Sequence, residues 1–327
     1  MARFKKTGAI ACILSCLLFM SQLTYVKAAE VKNTNNVIVQ DNLRLQDDFY
    51  KAINKTWLNT AKIDPGYTSN STFMEAYKTV TQQKKDIIKE LLANEDSYPK
   101  DSDEKKIINL YKNVLNTEAR NKQGTEAVKE MLDDIRNIKS LDDINDSEVG
   151  NILVPFSCEV DVKDVTKHAL YIAATPLSLA YSDNYIKPTE NTKRLKELTE
   201  NYYTKILTLA GYNEKEAKVK VDNLFKFENM IAPSITRKEE ITKDSNAIDK
   251  QYNVYTLDEL DALAPNLDLK TMMKNLKIDN ANKIILTQPK WLKTLNDTYN
   301  ENNLQIIKDY IEIQDLNAVA TFFRRRF

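Results

Sequence analysis

The sequence predicts a mainly α-helical protein with one small β-hairpin near residues 152–181. Three observations carry that reading. Glycine occurs five times and proline eight times in 327 residues, while hydrophobic residues make up 42%, which favours helices with a real core over tight-turned sheets. Apolar residues recur at three- and four-residue spacing through most of the chain. Only around Val154, Val160, Val162, Val165 and Leu170-Tyr171-Ile172-Ala173 does the pattern turn β-branched and alternating, and strands are expected nowhere else.

Along the chain, Arg3, Lys5 and Lys6 precede a mostly apolar run over 8–20, and Val26-Lys27-Ala28 sets small residues at the −3 and −1 positions. Residues 1–28 therefore read as a signal peptide cleaved before Ala29, which implies secretion. The alternatives are an uncleaved membrane anchor, for which Ser21, Gln22 and Thr24 leave the apolar core short, and lipidation at Cys16, where Leu17-Leu18-Phe19-Met20 stays apolar. Residues 29–45 read as a flexible leader.

Phe49, Ile53 and Trp57 fall on one face of a short helix, which Asp64-Pro65-Gly66 ends in a turn. Helical patterning resumes near Phe73, with a stripe at Ile87, Ile88, Leu91 and Leu92. Ser102 caps the next helix, whose Ile107, Ile108, Tyr111, Val114 and Leu115 are expected to face inward. After Gly124, residues 127–138 form an amphipathic helix. Beyond the hairpin, Leu195, Leu198, Tyr202, Ile206 and Leu209 mark a helix that Gly211 closes, and Ala217, Val221, Leu224 and Phe225 mark one that ends before Pro233. Thr256-Leu257-Asp258-Glu259 is a capping box opening a helix through Leu263. Leu304, Ile307, Tyr310 and Ile311 lie in a last amphipathic helix, and Phe322-Phe323-Arg324-Arg325-Arg326-Phe327 forms an aberrant basic tail.

Composition excludes several chemistries. Forty-seven basic and 47 acidic residues cancel, so no charge excess draws in nucleic acid. Cys12 and Cys16 leave with the signal peptide, so the mature chain has no internal disulfide, and Cys158 reads as a small buried residue. His168, the single histidine, reads as a surface or edge residue with no reason to pair with Cys158. The glycines build no phosphate loop, nucleophile elbow or dinucleotide fingerprint. Asp142-Asp143-Ile144-Asn145-Asp146 offers oxygens but no mid-loop glycine for calcium, and reads as solvated helix-flanking polar residues. Sequons at Asn54, Asn70, Asn145 and Asn296 are ascribed to chance in an asparagine-rich chain.

One resemblance runs through the whole pattern. Asp48-Phe49-Tyr50…Asn54-Lys55-Thr56-Trp57, Tyr111…Arg120…Gly124, Leu177-Ser178-Leu179…Asp183-Asn184-Tyr185 and Tyr252-Asn253…Thr256-Leu257-Asp258-Glu259-Leu260 follow one another in order. So do Pro289-Lys290-Trp291-Leu292 and Leu304-Gln305-Ile306-Ile307. Together they resemble the N-terminal half of the neprilysin and PepO-type zinc metallopeptidases, over about residues 46–321. The resemblance implies a helical, lid-forming part of a two-domain enzyme that cleaves peptides. It further implies that the helix of Phe49, Ile53 and Trp57 packs on a catalytic half that this sequence does not contain. Departures are Lys55 where the family carries glycine, and the absence of arginine between Arg44 and Arg120. Such enzymes hold zinc with a His-Glu-x-x-His helix and a further glutamate; one histidine cannot supply it. No residue is therefore assigned as catalytic, cofactor-binding or metal-ligating, and the chain alone is expected to be inactive. Peptides and a missing catalytic half are the expected partners. A split-enzyme subunit and an extracellular peptide-binding module are the alternatives.

Overall fold

A computed structural model describes residues 42–281 and 283–320. The expected signal peptide 1–28, most of the leader 29–45 and the basic tail 322–327 lie outside the described residues. Those described form two units, divided between Asn116 and Thr117.

In the first unit, helices α1 (Phe49–Thr60), α2 (Thr72–Ala93) and α3 (Asp103–Leu115) follow the expected order. Each starts where a short polar side chain satisfies a free amide: Asp48 accepts from Lys51 N, Ser71 from Met74 N and Ser102 from Lys105 N. Gly66 supplies the left-handed φ of +89° that the turn after α1 requires. The unit is tied by polar contacts. Trp57 Nε1 donates to Glu75 Oε1 at 3.0 Å, Lys78 pairs with Asp64 at 2.5 Å, and Glu95 pairs with both Lys105 and Lys112. Its apolar residues are poorly covered. Neither α1 nor α2 has a buried residue, and in α3 only Ile108 is buried. Ile107, Tyr111, Val114 and Leu115, expected to face inward, are exposed.

The second unit opens with α4 (Thr117–Gln123), α5 (Lys129–Asn137) and α6 (Leu141–Asn145). The hairpin follows, β1 (Phe156–Asp161) and β2 (Asp164–Ile172), then α7 (Asp183–Ile186), α8 (Glu190–Leu209), α9 (Glu214–Ile231), α10 (Lys238–Lys243) and α11 (Ala247–Lys250). The chain continues through β3 (Asn253–Tyr255), α12 (Leu257–Leu263), α13 (Leu269–Asn275), β4 (Ile284–Leu286) and α14 (Pro289–Thr298) to α15 (Leu304–Val319).

The core is built around α15, which packs on α9, α8 and α5. Ile306, Ile307, Tyr310, Ile311, Ile313 and Leu316 are all buried, as are Asp309 and Glu312. The last helix is thus enclosed over most of its circumference rather than amphipathic. In α8 the buried face is Tyr203, Ile206 and Leu207, whereas Leu195 and Leu198 remain exposed. Gly211 ends α8 as expected. Its φ is +99°, and the Tyr212 amide reaches back to the Leu207 carbonyl at 3.2 Å. Trp291 is buried at the centre, its Nε1 donating to Thr175 Oγ1 at 3.1 Å.

The sheet departs from expectation. It has four strands in the order β1-β2-β4-β3. Leu170, Tyr171 and Ile172 of β2 lie parallel to Ile284, Ile285 and Leu286, and Asn253–Tyr255 add antiparallel on the far side. Ile284, Ile285 and Leu286 are all buried. A central strand covered on both faces carries no alternation, and three residues are too few to show a period.

Candidate functional site

The residue types that sequence singles out do not converge on a catalytic centre. His168 lies on β2 opposite Val160, and Cys158 on β1 opposite Leu170. The hairpin thus sets both on the same face with one residue pair, Glu159 and Ala169, between them, which their separation in sequence did not suggest. Both are exposed, and no hydrogen bond joins them. Cys158 is not the buried residue expected, because β1 is the outermost strand and its middle residues have solvent on one side. Among the described residues, no cluster of three His, Cys, Asp or Glu side chains could hold a metal ion. The zinc that the resemblance implies does not fit these donors, since a closed or catalytic zinc site needs at least three protein ligands.

The acidic run in α6 is structural. Asp143 completes a capping box with Ser140. Asn145, expected to be solvated, is 5% exposed and accepts from the Tyr299 hydroxyl at 2.8 Å. Asn296 is buried as well and accepts from the Asn266 amide at 2.8 Å.

The second unit instead buries two polar clusters that spacing alone did not reveal. In one, Asp309 and Glu312, a helical turn apart on α15, face cations from other elements. Lys220 Nζ lies 2.6 Å from Asp309 and 2.8 Å from Glu312, and Arg136 Nε lies 3.0 Å from Glu312. Tyr212 donates to Glu312 and Asn223 to Asp309. Burial alone would lower the Lys220 pKa; hydrogen bonds to Asp309 and Glu312 outweigh it and raise the pKa. Every charge is paired, so this cluster locks α5, α9 and α15 together and offers no free group for chemistry.

In the other cluster, Glu228 is fully buried and has no cation beside it. Its Oε1 accepts from Ser178 N at 2.9 Å and Ser178 Oγ at 2.7 Å, and its Oε2 accepts from Tyr185 at 2.5 Å. Tyr203 and Gln314 donate in turn to Ser178 Oγ. Burial pushes the Glu228 pKa up to about 7, against the downward pull of these hydrogen bonds. The carboxyl anchors the Leu177-Ser178-Leu179 segment between α8, α9 and α15.

In the first unit Phe49 is 67% exposed, Ile53 60%, Phe73 90% and Tyr77 60%. Side chains of that size on helices normally face a core, so the exposure marks an uncovered apolar face. No described helix is long and apolar enough to cross a membrane.

Comparison with known proteins gives this surface its context. Residues 45–327 match the sequence model of peptidase family M13. The chain is 24% identical over 292 residues to a neutral endopeptidase of Lactobacillus helveticus, covering 88% of this chain and 44% of that protein. It is 25% identical over 308 residues to an endothelin-converting enzyme homolog of Locusta migratoria, covering 41% of that protein. Among solved structures, the fold is similar to a Mycobacterium tuberculosis zinc metalloprotease in complex with an inhibitor (TM-score 0.74, 17% identity, 89% of this chain and 44% of that one). It is also similar to PepO from Lactobacillus rhamnosis (TM-score 0.66, 18% identity, 86% and 45%). The chain thus spans less than half the length of the relatives it matches.

Proposed function

From membership of peptidase family M13, to which this chain belongs as its N-terminal region, we propose that it supplies the lid-forming part of a neprilysin- and PepO-like zinc endopeptidase acting on peptides. The zinc-binding part is contributed by further polypeptide. The observation that carries this reading is coverage: residues 45–327 match the family, while only 44% of the neutral endopeptidase is spanned. The uncovered face around Phe49, Ile53, Phe73 and Tyr77 fits the same reading, because a helix face of this kind is stable in water only when another element covers it. One histidine in 327 residues leaves the chain without the ligands for a peptidase zinc, so it is inactive by itself. Export through a leader cleaved before Ala29 completes the proposal.

The test is hydrolysis of a fluorogenic peptide by the purified chain, with zinc added and with a chelator. No chelator-sensitive cleavage is expected. Cleavage that zinc restores would overturn the reading. N-terminal sequencing of the exported product is expected to begin at Ala29; a product that keeps residues 1–28 in a membrane fraction would favour the uncleaved anchor.

A further inference from the structure

The β1 strand leaves one edge of the sheet open. Among the described residues it pairs only with β2, and Cys158, Glu159 and Val160 are exposed. The direction of its main-chain groups follows from one bond. The Ala173 amide donates to the Pro155 carbonyl at 3.1 Å, and Pro155 and Ala173 continue the register Phe156↔Ile172. Antiparallel pairs alternate between bonded and non-bonded, so the odd-numbered residues of β1 turn toward β2 and the even-numbered residues turn away. The Phe156 amide agrees: it donates not to β2 but to Asn151 Oδ1, at 3.2 Å. The Val160 carbonyl accepts from the Tyr171 hydroxyl at 3.4 Å. The Phe156 carbonyl, both main-chain groups of Cys158 and the Val160 amide are left facing outward.

We propose that this edge is an interaction surface for a second copy of the chain, paired antiparallel through β1 with Cys158 at the two-fold axis. In that register each Cys158 amide donates to the Cys158 carbonyl of the second copy, and each Val160 amide to the Phe156 carbonyl of the second copy. No existing bond has to break. Phe156, Cys158 and Val160 alternate onto one face, so Val160, which is 45% exposed, gains the second copy's Phe156 as its cross-strand neighbour. Charge selects the register. Centred on Cys158, Glu159 stands opposite Ser157 of the second copy; centred one residue later, the two Glu159 side chains stand opposite each other, and like charges there are destabilising. Within Phe156–Asp161 the strand carries no lysine and no proline; its one irregularity, between Val160 and Asp161, lies at its end and leaves Phe156–Val160 in regular register. At the other end of the sheet, β3 is only three residues long.

The test uses the full chain with Cys12→Ser and Cys16→Ser, leaving Cys158 as its one thiol. Opposed residues in a bonded antiparallel pair have Cα atoms roughly 5.5 Å apart, within disulfide range. Mild oxidation with diamide at about 100 μM protein, a concentration that detects weak association, is expected to give a Cys158-linked dimer. Sedimentation of the reduced protein is expected to show the same dimer. Val160→Lys puts a charge at the edge, and Val160→Pro removes the outward amide without touching the β1–β2 ladder. Both are expected to abolish linkage while circular dichroism stays unchanged. A reduced protein that stays monomeric and does not cross-link overturns the proposal, leaving the edge to a strand of some other chain. A dimer indifferent to both substitutions also overturns it, and assigns association to another face such as that of Phe49 and Phe73.

Discussion

Glu228 shows how much a single residue can hide in a sequence. It lies in α9 among Leu224, Phe225, Phe227 and Ile231, all buried, and nothing local marks it as the glutamate that turns inward. Only the fold brings Ser178, Tyr185, Tyr203 and Tyr310 around it, none of them a cation. Its pKa rises from the ordinary 4.5 to about 7, so the folded state holds a proton that the unfolded state has released across that window. Stability contributed by this group is therefore full below pH 4.5 and falls as pH rises to about 7. The loss is on the order of 3 kcal/mol, at 1.36 kcal/mol per pKa unit. Glu228→Gln removes the titration. With Trp57→Phe leaving buried Trp291 as reporter, urea midpoints of the parent should drop between pH 5 and pH 8, and those of the Gln variant should drop less, the remaining slope coming from Asp315, which burial also raises to about 7. Parallel curves would refute the assignment of the proton to Glu228.

At the scale of elements, local chemistry was the readable part. The capping box at Thr256, the cap at Ser102 and the closure at Gly211 lie where residue type alone puts them, because each depends on groups within a few residues. Gly211 makes a clean test. A Cβ there would meet nothing within 4 Å, so the cost of Gly211→Ala is backbone strain at φ +99° and not a clash. A loss of about 1–2 kcal/mol is expected, read as a lower denaturant midpoint for Trp291 with an unchanged slope. No loss would mean that the backbone relaxes at the end of α8. Elements defined by distant partners were not readable. β4 is a strand because β2 and β3 flank it, and the buried side of α8 is set by α9 and α15 rather than by its own Leu195 and Leu198. The exposure of Cys158 has the same origin, since it follows from which strand is outermost.

At the scale of the whole molecule, the two units differ in how completely they bury their apolar residues. The unit of 117–320 has a continuous core from Leu132 to Ala320. The unit of 42–116 presents Phe73, 90% exposed, alongside Phe49 and Ile53. If that face awaits a partner, making it polar should improve the isolated chain. Ile53→Lys with Phe73→Lys is expected to lower dye binding by exposed apolar surface and to reduce aggregation, with no change in the melting of Trp291. Unchanged dye binding would mean that this face is not the exposed apolar surface that matters.

The sequence by itself determined the helical class, the turn at Asp64-Pro65-Gly66, the caps at Ser102 and Thr256, the closure at Gly211, the family resemblance and the absence of a histidine pair for zinc. These rest on composition and on interactions that span a few residues. Only the tertiary structure decided which glutamates are buried, which strands complete the sheet, that Asp309 and Glu312 meet Lys220 and Arg136, and which apolar faces stay uncovered. Burial and pairing are properties of what packs against a residue, and those partners are brought from far along the chain.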